Sequence, residues 1–314
     1  MPNKIAVIAI GGNSLIKDSK HKTVPDQYQA ASETALHIAH LIQNGWNVAI
    51  GHGNGPQVGF ILRRSELAAH ELHEVPLDVC GADTQGAIGY ALQQNLYNYF
   101  RQLGINKQAV TVVTQVEVDP ADSAFQNPSK PIGSFMTKGQ AMRRQQEGWE
   151  VMEDAGRGWR RVVPSPRPLR IVEETIIKDL IATGIVTIAA GGGGIPVVAD
   201  EQGNLTGIAA VIDKDLAASL LATSLGADLF IISTGVEKVA LNFGKRNQTW
   251  LDHLTLAQAK EYLQAGGHFA KGSMAPKIQA VVEYLENGGQ EAIITNPENI
   301  ERAVVGETGT RITK

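Results

Sequence analysis

Ile5-Ala6-Val7-Ile8-Ala9-Ile10-Gly11-Gly12-Asn13 (residues 5–13) is an unbroken apolar run that ends in two glycines and an asparagine. Residues 46–56 repeat the device, with Trp46-Asn47-Val48-Ala49-Ile50 leading into Gly51-His52-Gly53-Asn54-Gly55-Pro56. A strand that is apolar at nearly every position is buried on both faces, as in a parallel sheet covered by helices. Both glycine loops are therefore expected at the carboxyl edge of one sheet, where open α/β folds place ligands. Glycine lets backbone N–H groups come close to an anion, and a helix start, here marked by Pro56, adds partial positive charge. A cradle for a small anion is the first expectation.

Outward from these two loops, the pattern alternates. Strand 5–10, helix 26–43, strand 46–50, helices 56–70 and 84–102 and strand 110–115 follow βαβ grammar with short connections. Residues 117–168 break it with prolines, scattered aromatics and charges, and are read as a small excursion from the main body, too poor in apolar periodicity for a sheet layer. Alternation resumes with helix 170–182, strand 185–189, the run Gly191-Gly192-Gly193-Gly194 and a hairpin at 200–203. Helix 214–225, strands 228–232 and 237–242, helices 255–264 and 276–287, strand 291–294 and a last strand at 309–313 complete the reading. The fold class expected is α/β, a three-layer αβα sandwich around a mostly parallel open sheet with a small protruding subdomain. A boundary near residue 213 divides it into 1–212, which includes the subdomain at about 117–168, and 213–314.

Composition narrows the function. The 314 residues are 43% hydrophobic and 19% charged, with 33 glycines against 7 phenylalanines and 4 tryptophans, which suits many tight strand-to-helix turns. A net charge of −4 gives no general attraction to nucleic acid or to an anionic membrane. Cys80 stands alone, so no intrachain disulfide can form, and a reducing cytosol is the expected setting. No apolar stretch reaches membrane-spanning length, and the amino-terminal run is too short for a secretion signal core; a cytoplasmic protein is expected. There is no GxxxxGK(S/T) phosphate loop, no GxGxxG opening a βαβ unit and no HExxH helix.

Lysines at helix starts are the sharper signal. The helical pattern after Val211-Ile212-Asp213 begins near Lys214, and Pro276 in Ser273-Met274-Ala275-Pro276-Lys277 marks another first turn. A cation there opposes the helix dipole at about 0.3–1 kcal/mol unless an anion lies nearby, so both lysines are expected to face phosphate. Asp213 and Asp215 fit an N-cap, a Mg²⁺ ligand, or a carboxylate that orients the lysines. Lys130, between Pro128 and Pro131, is presented rigidly from the excursion, as a lid over an anion would require. The five arginines of 157–170, with Glu153 and Asp154 just upstream, read as ion-paired structure rather than a nucleic-acid patch. His70-Glu71-Leu72-His73-Glu74 has metal-helix spacing but no third ligand, and reads as a solvated helix end.

Taken as an ordered set, AIGGN (9–13), HGNGPQVG (52–59), QGAIGY (85–90), NPSKPIG (127–133), EDAGRGWRRVVPSPRP (153–168), GGGGIPV (191–197), VIDKDLA (211–217), GSMAPK (272–277) and GTRI (309–312) resemble the carbamate kinases of the amino-acid-kinase superfamily across the whole chain. The resemblance implies phosphoryl transfer between ATP/ADP and carbamate/carbamoyl phosphate, usually run toward ATP in catabolism, by a cytoplasmic homodimer using Mg²⁺, with arginine metabolism as one source of substrate. It implies an acceptor half at 1–212 and a nucleotide half at 213–314. Carried over residue by residue, Gly11, Gly12, Asn13, Gly53, Asn54 and Gly55 become the acceptor cradle, with Lys130 closing over it. Lys214 and Lys277 neutralise the transferring phosphoryl group, and Asp213 organises them. Gly192, Gly193, Gly235, Lys271 and Met274 join the two lysines on the nucleotide side, and no residue is assigned to a metal. Gly235, Lys271 and Ser134 depart from the family pattern. The alternatives are a kinase of the same fold for another small carboxylate or phosphate acceptor, and a non-catalytic nucleotide or metabolite sensor.

Overall fold

A strand buried on both faces needs a helical layer on each side, and that requirement organises the molecule. The computed structural model describes residues 4–12, 15, 20–154, 156–270 and 272–314. The chain opens with β1 (Ile5–Ile10), α1 (Val24–Gln43), β2 (Asn47–His52), α2 (Gly55–Ala68), α3 (Leu77–Leu103), β3 (Ala109–Thr111) and β4 (Gln115–Val118). The excursion holds β5 (Lys130–Met136), α4 (Lys138–Gln146), β6 (Val151–Glu153) and β7 (Trp159–Val163). There follow β8 (Pro168–Ile171), α5 (Glu174–Ala182), β9 (Val186–Ile188), β10 (Ile195–Ala199), β11 (Leu205–Gly207), α6 (Lys214–Ser224), β12 (Leu229–Ser233), β13 (Val239–Leu241), β14 (Thr249–Leu251) and β15 (His253–Thr255). The chain closes with α7 (Leu256–Ala265), α8 (Met274–Glu286), β16 (Glu291–Thr295), α9 (Ile300–Val304) and β17 (Thr310–Thr313).

Eight strands form the central sheet in the order β15-β17-β16-β12-β1-β2-β9-β3, parallel except where β17 runs against β16. The pleat of β1 shows how both faces are filled. Ala6, Ile8 and Ile10 enter the core built with α1 and α3, whereas Val7 and Ala9 enter the core built with α6 and α8. This is the three-layer sandwich expected from the sequence. Because β1 lies between β2 and β12, the amino- and carboxyl-terminal parts of the chain share one continuous sheet, and the loops after all three strands meet at one edge.

Two differences from the sequence reading have clear causes. The single strand expected at 110–115 is split into β3 and β4 because Gln85 grips Thr114, its Oε1 accepting from Thr114 N at 2.8 Å and its Nε2 donating to Thr114 O at 3.1 Å. The chain turns there out of the main sheet into a second one, ordered β11-β10-β4-β8. The excursion, expected to lack a sheet, has one: β5-β7-β6, antiparallel. Its strands lack apolar alternation because cations on aromatic rings supply the packing. Arg157 and Arg160 sit 5.2 and 5.3 Å from the Phe135 ring centre, and Arg144 and Arg161 each 4.7 Å from that of Trp149. Asp154 pairs with Arg157 at 2.9 Å and Arg160 at 3.2 Å, Arg170 with Glu117 at 2.7 Å and Arg167 with Glu283 at 2.8 Å, so the basic run, Arg161 apart, is ion-paired structure.

The excursion docks on α2 by close backbone approach. A Cβ at Gly59 would lie 2.9 Å from Gly133 Cα. Val58, Leu77, Cys80, Ile132 and Val163 bury a small core beneath it, which explains why α3 starts at Leu77 rather than at 84. Residues 70–74 lie in an exposed turn after α2.

Candidate active site

The cleft lies where β1, β2 and β12 end. Gly11 N donates to Ser233 O at 3.0 Å and Gly53 N to Ile10 O at 2.8 Å, so the ladder runs on past each strand into the glycine loops. This corrects one expectation. The N–H groups of Gly11 and Gly53 are taken by backbone carbonyls and do not donate to a ligand; what these glycines supply is clearance. A Cβ at Gly53 would lie 3.0 Å from Lys214 Cδ, and one at Gly192, which has φ +69°, would lie 2.3 Å from Asn54 Nδ2.

Asp213 caps α6 in extended conformation, with Oδ1 accepting from Asp215 N at 2.9 Å. That cap starts the helix at Lys214 and sends the Lys214 side chain over Gly53. Lys277 reaches the same point from the start of α8. Between them lies Asp215, 4% exposed, accepting from Lys214 Nζ at 2.6 Å on Oδ1 and from Lys277 Nζ at 2.8 Å on Oδ2. Lys130, at the first position of β5, donates to Asp213 Oδ2 at 2.8 Å. Among the described residues, three ammonium groups and two carboxylates thus wall a cleft of about 330 Å³.

The assignment of Asp213 as organiser of Lys214 and Lys277 is therefore corrected: Asp215 holds both, and Asp213 holds Lys130 and the helix cap. Sequence reasoning noticed Asp215 but could not choose, because residues two apart at a helix start differ in role only through which way each side chain points. Burial pushes the Asp215 carboxyl up, but the charges of Lys214 and Lys277 outweigh it and hold it far below the usual carboxylate range. Burial likewise works against ionised Asp213, and Lys130 overcomes it, leaving that carboxyl low as well. Lys214 is lowered from its ordinary value by burial, with Asp215 opposing that shift and Lys277 adding to it.

Of the other residues singled out from sequence, Gly11, Gly12, Gly53, Asn54, Gly55, Gly192 and Gly235 line the cleft. Gly193 does not: a Cβ there would lie 2.3 Å from Ile212 O, so its role is tight packing of the loop after β9 against the start of α6. Met274 is packed against the core. Asn13 and Lys271 lie outside the described residues. His52, quoted in the second glycine loop but given no role, is buried beneath it, with Nδ1–H donating to Gly53 O at 3.1 Å. Burial, reinforced by the Lys214 charge, lowers it to about 4 despite that hydrogen bond, so the ring is neutral. Asn54 is held by donation to Thr84 Oγ1 at 2.8 Å, and Gln85 ties the glycine run in place by donating to Gly191 O at 2.9 Å.

A sandwich of this topology, with fixed ammonium groups at helix starts facing glycine loops, defines a phosphoryl-transfer class of site. Residues 4–296 match the family model described as the amino acid kinase family. The chain is 49% identical to the carbamate kinase-like protein YahI of Escherichia coli (strain K12), over 99% of both chains, and 46% identical to a carbamate kinase of Pyrococcus horikoshii over the full length of both. The carbamate kinase of Giardia lamblia bound to AMP-PNP superposes with a TM-score of 0.92 at 42% identity, covering 100% of this chain and 99% of that one. The chain belongs to the amino acid kinase family and, within it, to the carbamate kinases.

Proposed function

We propose that this chain transfers a phosphoryl group between carbamoyl phosphate and ADP, forming ATP and carbamate, with synthesis of ATP as its working direction. The observation that carries the reading is the carboxylate of Asp215 gripped by Lys214 and Lys277 at the mouths of the glycine loops. In the forward step an oxygen of the ADP β-phosphate bonds to phosphorus while the bond from phosphorus to the carbamoyl oxygen breaks. Such a transfer needs alignment and charge neutralisation and no covalent nucleophile. Two ammonium groups held in advance meet the charge of the moving phosphoryl oxygens without reorganising. Lys130 closes over the acceptor from the excursion, and Asn54, fixed by Thr84, helps position it. Carbamate has few atoms, so directed polar contacts of this kind do the selecting.

On this reading the loops after β1 and β2 and the excursion form the acceptor side, and the part from Asp213 onward, with Gly235, forms the nucleotide side. Both oxygens of Asp215 and both of Asp213 already have partners, so the cleft carboxylates do not fit a protein-held Mg²⁺; the Mg²⁺ of the proposed reaction belongs to the nucleotide phosphates and water. We also propose a homodimer acting in the cytoplasm, with arginine breakdown as one source of carbamoyl phosphate. Val79, Tyr90 and Tyr97 leave three exposed apolar side chains on one face of α3, 43%, 57% and 43% exposed, with exposed Asp83 and Gln94 between them, and these side chains support association between copies. Among the described residues no helix is long and apolar enough to cross a membrane.

The test is a coupled assay for ATP made from ADP and carbamoyl phosphate with Mg²⁺, run beside acetyl phosphate and acyl phosphates of amino acids. The proposal expects carbamoyl phosphate to be the best donor. A better donor elsewhere in the panel, or ADP binding with no turnover of any donor, would defeat it.

A further inference from the structure

A second concentration of charge lies between α2 and the excursion, and phosphoryl transfer makes no use of it. A pocket of about 450 Å³ opens there, within the size range of small-molecule sites. Arg63 of α2, Arg143 and Arg144 of α4 and Arg161 of β7 line it, against the carboxylates of Glu66 and Glu147. Glu66 pairs with Arg63 at 3.1 Å and lies 3.9 Å from Arg144, which Glu147 holds at 2.7 Å. Among the described residues neither Arg143 nor Arg161 has an ion-pair partner; Glu66, and Glu74 in the adjoining recess, reach Arg161 only through their charges. Two of the guanidinium groups are oriented in advance by Trp149, since Arg144 and Arg161 each sit 4.7 Å from its ring centre. Pre-oriented planar forks with excess positive charge are what bidentate recognition of phosphate or carboxylate requires.

The same pocket touches the lid. Ile132 lines both it and the cleft that holds Lys130, so one strand walls two sites. That strand departs from regular pairing: its register against β7 shifts between Ile132 and Met136, and Gly133 has φ +70° where it meets Gly59. Ser134, singled out from sequence as a departure from the family pattern, lies in this segment and lines the pocket.

We propose that this arginine pocket is an effector site for a small metabolite bearing two or more phosphate or carboxylate groups, and that its occupancy sets the position of β5 and hence of Lys130. The binding stands on the pocket alone; the coupling rests on the phosphotransferase reading above.

Trp149 reports on binding locally. Titration of the full chain without Mg²⁺, with pyrophosphate in one arm and tricarballylate in the other, is expected to give a saturable fluorescence change that Trp149→Phe abolishes, and the tighter arm identifies the oxyanion. Arg143 is exposed, so Arg143→Ala leaves the fold intact and is expected to weaken binding at least 10-fold; Arg63→Ala is the second variant. No Trp149-dependent change with either probe, or equal affinity in wild type and both variants, overturns the site. In the ATP-forming assay the tighter probe is expected to change kcat in wild type and not in Arg143→Ala. Inhibition that only raises the KM for carbamoyl phosphate, equally in both proteins, overturns the coupling. Absence of ATP formation in wild type would strike the functional reading and leave the fluorescence result standing.

Discussion

Two lysine–aspartate clusters line the cleft, and they are built differently. Lys214, Asp215 and Lys277 are 16%, 4% and 12% exposed, sit on the first turns of two core helices, and use both oxygens of one carboxylate. Lys130 and Asp213 are 32% and 18% exposed and join a strand of the excursion to the cap of α6 by a single contact at 2.8 Å. The buried contact cannot relax without stranding charge at both ends, whereas the other, on opening, strands only the Asp213 carboxylate, because the Lys130 ammonium is near enough to the surface to return to water. Under the proposed function, one is a fixed electrostatic template and the other a latch. The difference follows from where the carbon skeletons are anchored, since the chemical groups are the same.

Removing the centre of the template tests it most severely. Asp215→Asn leaves two buried ammonium groups without a counter-charge, and is expected to destabilise the fold by about 3–5 kcal/mol and to lower kcat by roughly 1000-fold. Denaturant titration and the ATP-forming assay measure the two effects. Lys277→Ala, which leaves Lys214 paired, is expected to cost roughly 100- to 1000-fold in kcat, with the fold intact by circular dichroism. If either variant keeps near wild-type turnover, the template reading fails.

The latch should respond in kind but less. Lys130→Ala is expected to lower kcat/KM for carbamoyl phosphate by roughly 100-fold while costing less stability than Lys277→Ala. Raised salt sharpens the contrast: screening should weaken the Lys130 contribution and spare the Lys214–Asp215–Lys277 contact. Equal stability losses in Lys130→Ala and Lys277→Ala would erase the distinction.

Beneath both contacts, His52 makes stability depend on pH. Its folded value of about 4 lies below the ordinary 6.5, so the unfolded chain takes up a proton that the folded one refuses. Its contribution is undiminished above pH 6.5 and declines as pH falls from there toward 4, by about 2 kcal/mol between pH 6.5 and 5. His52→Gln should flatten that slope in urea titrations; an unchanged slope would show that the ring titrates normally. Smallest of all, Gly53→Ala puts a methyl 3.0 Å from Lys214 Cδ and is expected to reduce kcat about 10-fold with little change in KM for ADP, as read from initial rates.

Legibility in the sequence followed the range of the interactions. The apolar run of β1, the helix start at Lys214 and the first helical turn marked by Pro276 are written in neighbouring residues and were readable there, whereas the Asp213 cap was one of three readings the sequence left open. The sheet of the excursion escaped because Phe135 and Trp149 pack under arginines from other segments of the excursion, a pairing no periodicity records. The split between β3 and β4 depends on Gln85, 29 positions from Thr114. Asp215 could be suspected from its spacing, but its partner Lys277 is 62 positions away.

By itself the sequence determined the layers, the glycine loops at one sheet edge and the lysines at helix starts, because burial pattern, turn chemistry and capping act over a few residues. Only the tertiary structure decided which aspartate serves which lysine, that the N–H groups of Gly11 and Gly53 are already engaged, and that one strand walls two pockets. Those outcomes depend on side-chain direction and on contacts between distant segments, which exist only once the sheet brings them to the same edge.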